Sequence, residues 1–345
     1  MSRVSIADVA ALAGVSTGTV SNVLNKSPRV SPVLVAKVND AITKLNYQPS
    51  AIAQTLAGGR SRTVGLLLPQ LGNSLFVDMA QGAETVADDE DYILLIAHSR
   101  SDLDRERRHL RGFRQAHFAG AILAMDTEDH FATLTSSDLN GTPTVIINLA
   151  VSAALACSVS SDNEHGGWLA ASHLVALGCR RLAFVGGPPG LHFVERRGAG
   201  VARALHQHNL PEALHVDPGG VLRAHGWNVG AELAEAVRHG GIDGIVAATD
   251  LLAAGLVQRL AAAGVAVPSD VLVVGYDNNR DAWDGPLPLT TVAQPGEAIG
   301  HKAMTMLLDE IRDPHGHEHS TQILRPTLVV RASTQREASP HPDRR

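Results

Sequence analysis

At 345 residues the chain exceeds one ordinary domain, and a hydrophobic content of 44% with a formal charge of −6 excludes a disordered or strongly basic protein. The charge is uneven: residues 1–62 carry seven Lys or Arg against Asp8 and Asp40, a net +5 that leaves −11 on the remainder and marks the front end as the polyanion binder. Cys157 and Cys179 have neither metal-ligand spacing nor the density of a disulfide framework, which suits a reducing cytoplasm. A helix pattern starts too early for a signal peptide and no apolar run reaches about 18 residues, so a soluble cytoplasmic protein is expected, with no membrane contact.

Ser5 and Asp8 fit a capping box, and Ile6, Val9, Ala10 and Ala13 recur at helical spacing, so a first helix starts at Ile6. Gly14 ends it, Val15 turns inward, and Ser16 caps a second helix whose Val20, Val23 and Leu24 face the first. The other face is small and polar (Thr17, Gly18, Ser21, Asn22), as a recognition helix requires to approach base edges in a major groove. Ser31-Pro32 starts a third helix carrying Val35, Val38, Ile42 and Leu45. After Pro49, Ser50 caps and Gly58-Gly59 terminates a further helix of about two turns, too short to hold without DNA or a partner.

The runs Ile6 to Ala10, Gly14 to Ser16, Thr19 to Ser21, Val23 to Asn25 and Val30-Ser31, followed by Leu45 to Tyr47, Pro49, Ala53-Gln54 and Leu56, resemble the LacI/GalR family of bacterial transcription regulators. The resemblance implies a headpiece over residues 1–49 and a hinge helix and linker over 50–62. A two-lobed effector-binding and dimerisation core over 63–335 and a polar tail over 336–345 complete the chain. It also implies a homodimer on double-stranded operator DNA, with paired hinge helices in the minor groove and Leu56 as the wedge that kinks a base step. Together with the polar helix face, it assigns DNA contact to Ser5, Ser16, Thr17, Gly18, Thr19, Ser21, Asn22, Asn25, Lys26, Arg29, Val30, Tyr47, Ala53, Leu56 and Arg60. Thr17 and Asn22 are the expected base readers, while Lys26, Arg29 and Arg60 serve phosphates.

From Arg62 onward, strand-like runs at 64–68, 93–96, 121–124, 145–147, 182–185, 245–247 and 271–274 alternate with amphipathic segments such as 105–115, 167–177 and 251–263. Such alternation means doubly wound parallel sheets covered on both faces. The second group of strands begins near Asp162, so two lobes with a cleft between them are expected. The resemblance adds three crossings between the lobes, the later two near Thr290 to Val292 and after the Ile311 region.

Ligands bind outside the carboxyl ends of such strands. The residues there are Gln70, Asn73 and Phe76, then Asn148, Asp162 and Asn163, then Thr249, Asp250 and Asp277; the resemblance adds Arg197 and Val221. Carboxylates and amides paired with a guanidinium suit a sugar or similar polyhydroxylated effector, although each residue singly also fits a loop cap. Thr249-Asp250 stands where many members carry Asn-Asp. Val221 stands where an aromatic often stacks on the ligand, as does Gly296, two residues past Gln294, so a stacked hexose is not expected. Gly18 similarly replaces a base-reading side chain.

Gly186 to Gly190 lacks the Lys-Ser or Lys-Thr of a phosphate loop and reads as a turn. His315, His317 and His319 alternate after Pro314; without an accompanying carboxylate or thiolate site they read as a solvated loop rather than a chelate. No catalytic constellation and no cofactor motif is present, so an enzyme is not expected. The competing reading, an exported solute-binding protein with the same cleft, conflicts with the headpiece.

Overall fold

The computed structural model describes residues 4–24, 27, 30–47, 61–134, 136–139 and 141–336. The chain forms two compact units, residues 1–62 with 115–119 and residues 63–114 with 120–345. In the first, α1 (Ile6–Ala13), α2 (Thr17–Leu24) and α3 (Pro32–Leu45) close around Val9, Ala10, Val20, Val23, Val38 and Ala41. The Ser5/Asp8 capping box is present, and it holds the Asp8 carboxyl below its usual range because Ser5 donates to the ionised form. Gly14 takes a left-handed φ of 67° that stops α1, and Ser16 Oγ accepts from the Thr19 amide at 3.2 Å to start α2.

The second unit runs β1 (Thr63–Leu68), α4 (Ser74–Asp89), β2 (Ile93–His98), α5 (Leu103–Gln115), β3 (Gly120–Ala124), α6 (Glu128–Thr133), α7 (Ser136–Leu139), β4 (Thr144–Ile147) and β5 (Cys157–Ser161). It continues through α8 (Asn163–Ala176), β6 (Leu182–Val185), α9 (His192–Gln207), β7 (Leu214–Val216), α10 (Arg223–Arg238), β8 (Gly244–Ala247), α11 (Asp250–Ala262) and β9 (Leu272–Asp277). It ends with β10 (Thr290–Ala293), α12 (Gly296–Arg312), β11 (Thr321–Leu324) and β12 (Thr327–Val329). The strands form two six-stranded sheets, in the orders β11-β5-β4-β3-β1-β2 and β12-β10-β9-β8-β6-β7. All pairs are parallel except β10 with β12, as the β-α alternation requires.

The chain crosses between the sheets after Ser161, after Ala293 and after Leu324, which bears out three crossings and places the last beyond β11. Five strands escape sequence reading. The sequence of β5 is Cys-Ser-Val-Ser-Ser, yet every residue in it is buried, and Ser158 Oγ is satisfied there by donating to Thr321 Oγ1 at 3.2 Å and accepting from the Val151 amide at 3.1 Å. The strands β7, β10, β11 and β12 have only three or four residues each and too few apolar ones to stand out.

The apolar strands sit in two cores. In the first lobe Leu67, Leu123 and Ile146 pack with Leu110 and Phe113 of α5. In the second, Phe184, Val246 and Val273 pack with Leu174, Leu205 and Leu256. Helices α8 and α9 approach to backbone contact: a Cβ on Gly200 would strike the Glu164 carbonyl and one on Gly167 the Arg197 carbonyl. That close packing seats Arg197 at the lobe's edge. No helix among the described residues is long and apolar enough to cross a membrane.

Candidate effector cleft and DNA-reading face

Between the two sheets, at the carboxyl ends of their strands, lies a cleft of about 580 Å³. Eight of the expected effector residues line it: Gln70, Asn73, Phe76, Asn148, Arg197, Val221, Thr249 and Asp277. Arg100, Ser101, Asp126, Leu191, Phe193, Leu222, His225 and Gln294 join them.

Arg197 is the centre of the second-lobe wall. Its guanidinium lies 3.6 Å from the ring centroid of Tyr276 and 4.8 Å from that of Phe193. Its Nε donates to Asn163 Oδ1 at 2.9 Å, one terminal nitrogen donates to the Ala248 carbonyl, and the other lies 3.3 Å from Asp277 Oδ1. Asp277 also accepts from Gln294 at 2.8 Å and from Asn73 of the first lobe at 2.9 Å. Burial pushes its carboxyl up, against the opposing pull of Arg197.

The first-lobe wall is built around Asp126, just past β3. Its carboxylate accepts from Ser101 Oγ at 2.9 Å and from Asn148 Nδ2 at 3.1 Å. Desolvation pushes its pKa up to about 6. The same strand-end rule that selected Asn148 would have found Asp126, whereas Phe193 and His225 carry no local signal. Phe193 is found only through its position one helical turn before Arg197, and His225 through its place in the first turn of α10.

Arg100, Ser101, Asn148 and Asp277 line this cleft with φ of 61°, 52°, 68° and 109°. Non-glycine residues in this region cost about 1 to 3 kcal/mol each and gather at ligand clamps. Hydrogen bonds hold Ser101, Asn148 and Asp277 in place.

Three expected residues lie elsewhere. Asp250 is completely buried beneath the cleft, accepting from Thr291 Oγ1 at 2.7 Å and the Asn279 amide at 3.0 Å. Burial first, and the Asp277 charge second, push its carboxyl well above the usual range. Asn163 reaches the cleft only through Arg197. Asp162 caps α8 by accepting from the His165 amide at 3.0 Å and borders an adjoining hollow with Glu164, Arg196 and Arg203. Thr249 lines the cleft, but its hydroxyl is engaged, accepting from the Leu252 amide and donating to the Val221 carbonyl at 2.8 Å.

In the helical unit, Thr17, Gly18 and Asn22 are exposed on one side of α2, while Val20 and Val23 are buried on the other. Ser21 is half-buried. Ser5, Ser16 and Thr19 spend hydroxyl groups on caps, the last two lying 3.0 Å apart. Val30 and Tyr47 pack partly against the helix core. Asn25, Lys26, Arg29, Ala53, Leu56, Arg60 and the hinge helix lie outside the described residues.

Comparison with known proteins matches both units of the chain. Residues 5–50 match the bacterial regulatory proteins of the lacI family, and residues 171–334 match the periplasmic binding protein-like domain. The HTH-type transcriptional repressor PurR of Aliivibrio fischeri is 30% identical over 342 residues, covering 95% of this chain and 97% of that protein. The ribose operon repressor of Halalkalibacterium halodurans is 31% identical, covering 95% and 96%. Among solved structures, the lac repressor dimer bound to operator and the anti-inducer ONPF superposes with a TM-score of 0.84 at 26% identity, covering 96% of this chain and 99% of that one. Matched end to end by repressors with the same two units, the chain belongs to the lacI family of DNA-binding transcription regulators, and is not an enzyme.

Proposed function

We propose that this repressor works in the cytoplasm as a homodimer on a pseudo-palindromic operator and is controlled by a sugar-like effector in the cleft. The observation that carries the effector reading is the convergence of polar groups from two walls. Asp126, Asn148 and Ser101 face the cleft from the first lobe, and Arg197, Asp277 and His225 from the second. Carboxylate, amide and guanidinium groups so arranged suit a ligand with several hydroxyls, and Val221 offers no ring on which a sugar face could stack. A ligand biases only states for which its affinity differs, and one held by both walls favours one lobe arrangement.

The edge strand β2 supports the homodimer. Ile93, Leu95 and Ile96 are 61%, 47% and 51% exposed on an unpaired edge, a surface that a second copy would cover. Through residues 59–63 a change in lobe arrangement would reach the hinge segments and set their separation. The sign of the response follows from whether the favoured arrangement brings the hinges together or apart.

The test is a thermal-shift screen of sugars, sugar phosphates and nucleosides on the full chain, followed by operator titration with the hit. A ligand at about 100 times its Kd stabilises the native state by about 2.7 kcal/mol, enough to read. A sugar that raises Tm and changes operator affinity is the expected result. A shift with nucleosides alone would overturn the sugar class, and a sugar that shifts Tm without touching operator affinity would overturn the coupling.

A further inference from the structure

The alternating histidines after α12 have no part in either site, and read alone they form a solvated loop. The fold gives them the partners that sequence reading lacked. Glu310 stands in the last turn of α12, and a carboxylate oxygen of Glu310 and one ring nitrogen each of His317 and His319 all lie within 4.8 Å of one another. The Glu310–His319 separation is 3.7 Å, and the two imidazole rings sit 5.5 Å apart, tilted by 60°.

A fourth group comes from 153 residues and more upstream in sequence: Cys157, at the start of β5, places its sulfur 3.1 Å from His317 Nε2. The parallel pairing of β5 with β11, Ser158 opposite Thr321, makes this juxtaposition unavoidable. The loop is also ordered by its own hydrogen bonds. Asp313 accepts from the Gly316 and His317 amides at 3.0 Å each, and the Ser320 amide points at the Cys157 sulfur at 3.4 Å.

We propose that Glu310, His317, His319 and Cys157 form a binding site for a divalent ion of the zinc class. Thiolate, imidazole and carboxylate are the ligand set that such an ion selects, and tetrahedral coordination spaces neighbouring ligand atoms by about 3.4 Å, against 3.7 Å for Glu310–His319 and 3.1 Å for Cys157–His317; Cys157 stands outside the 4.8 Å triad and joins it through His317, so it closes in as the ion binds. Glu310 supplies an independent pointer: its Oε2 is shut off from solvent and makes no hydrogen bond. A buried carboxylate oxygen without a donor is costly, and a cation satisfies it. Burial, with the charges of Glu310 and Asp309 adding to it, pushes the Cys157 thiol up. On binding, that thiol loses its proton to solvent and the resulting thiolate ligates the ion, so uptake is coupled to the release of a proton. The ion would tie the end of α12 and the edge strand β11 to β5.

The experiment uses the full chain, freed of metal with a chelator. Zinc is titrated calorimetrically, and cobalt is added to a second sample as the spectroscopic probe. The expected result is one ion per chain, tetrahedral cobalt bands in the visible and a thiolate charge-transfer band in the near ultraviolet. Cys157→Ser should remove the charge-transfer band. The double variant His317→Ala/His319→Ala, whose side chains are partly exposed and whose fold is checked by circular dichroism, should weaken zinc by roughly 100-fold or more. Absence of saturable one-to-one binding, zinc affinity unchanged in the double variant, or a cobalt spectrum unchanged in Cys157→Ser would each overturn the site.

Discussion

Asn73 of the first lobe donates its side-chain amide to Asp277 of the second at 2.9 Å, with both side chains buried. The same Asn73 caps α4, its oxygen accepting from the Leu75 amide at 3.0 Å, and Asn279 Nδ2 approaches that oxygen at 3.4 Å. Beside it, the Arg280 amide donates to Ser74 Oγ at 2.9 Å. One helix start in the first lobe thus grips the strand end that holds Arg197 in the second. Losing a cap costs about 1 kcal/mol and losing a hydrogen bond to a charged group about 1.5 to 3. Asn73→Ala is therefore expected to lower stability in urea by about 2 to 4 kcal/mol. Asn73→Asp keeps the capping oxygen but sets a carboxylate against Asp277, so its deficit should shrink on acidification more steeply than that of the alanine variant, which loses only the bond to the Asp277 carboxylate and the cap.

Arg197 tests the effector site itself. Its guanidinium is enclosed by Phe193 and Tyr276 and paired with Asp277, so removing it strands a buried carboxylate, at a cost of about 3 to 5 kcal/mol. Arg197→Ala should lose the effector response while its effector-free operator affinity stays within several-fold of the parent, and Asp277→Ala should do the same. Operator titrations with and without the effector decide this, at a temperature where denaturation curves show both variants folded. Full retention of the response in both would refute the assignment.

The Asp126 carboxyl has a folded pKa of about 6, above the unfolded value of 3.8. A raised carboxyl binds its proton more tightly in the folded state, so its contribution to stability is complete below about 4 and is lost as pH rises through about 6. Because Asp126 is partly open to the cleft, the loss should be about 1 to 2 kcal/mol rather than the roughly 3 kcal/mol of the full shift. Asp126→Asn should flatten the stability profile between pH 4 and 6 relative to the parent. Parallel profiles for the two proteins would show that Asp126 does not titrate there.

Gly18 lies in the first turn of α2, where a Cβ would meet only Ser16 Oγ, at 3.8 Å. Packing within the headpiece does not demand glycine, and its cost in a helix is about 1 kcal/mol relative to alanine. Gly18→Ala should stabilise the helical unit by about 0.5 to 1 kcal/mol and weaken operator binding, since the added methyl meets the groove. A variant that gained both stability and operator affinity would show that glycine is not kept for close approach.

Asn22 is exposed on the same face, and its amide matches the paired donor and acceptor of adenine. Asn22→Ala should relax preference at one symmetric pair of operator positions, by about 1 to 3 kcal/mol at each. Binding-site selection on parent and variant measures this directly, and an identical consensus from the two would remove Asn22 from the base readers.

The helical unit was legible residue by residue because its signals are local. A capping box spans four residues, Gly14 must turn where α1 ends, and apolar spacing marks the buried face of each helix. The apolar strands were legible for the same reason, since a strand buried on both faces is a continuous apolar run. The strand β5 was not, because its serines read as polar, while the sheet buries them and sets Thr321 of the neighbouring strand to accept from Ser158. The cleft divides along the same line. Strand-end position was enough to select Asn73, Asn148 and Asp277, yet it could not tell Asp277, which faces the cleft, from Asp250, which lies beneath it. That difference depends on which neighbour supplies the hydrogen bonds: Thr291 and Asn279 for one, Asn73, Gln294 and Arg197 for the other. Cys157 meeting His317 is the extreme case, for a parallel pairing between strands more than 150 residues apart decides it and no local pattern can record it.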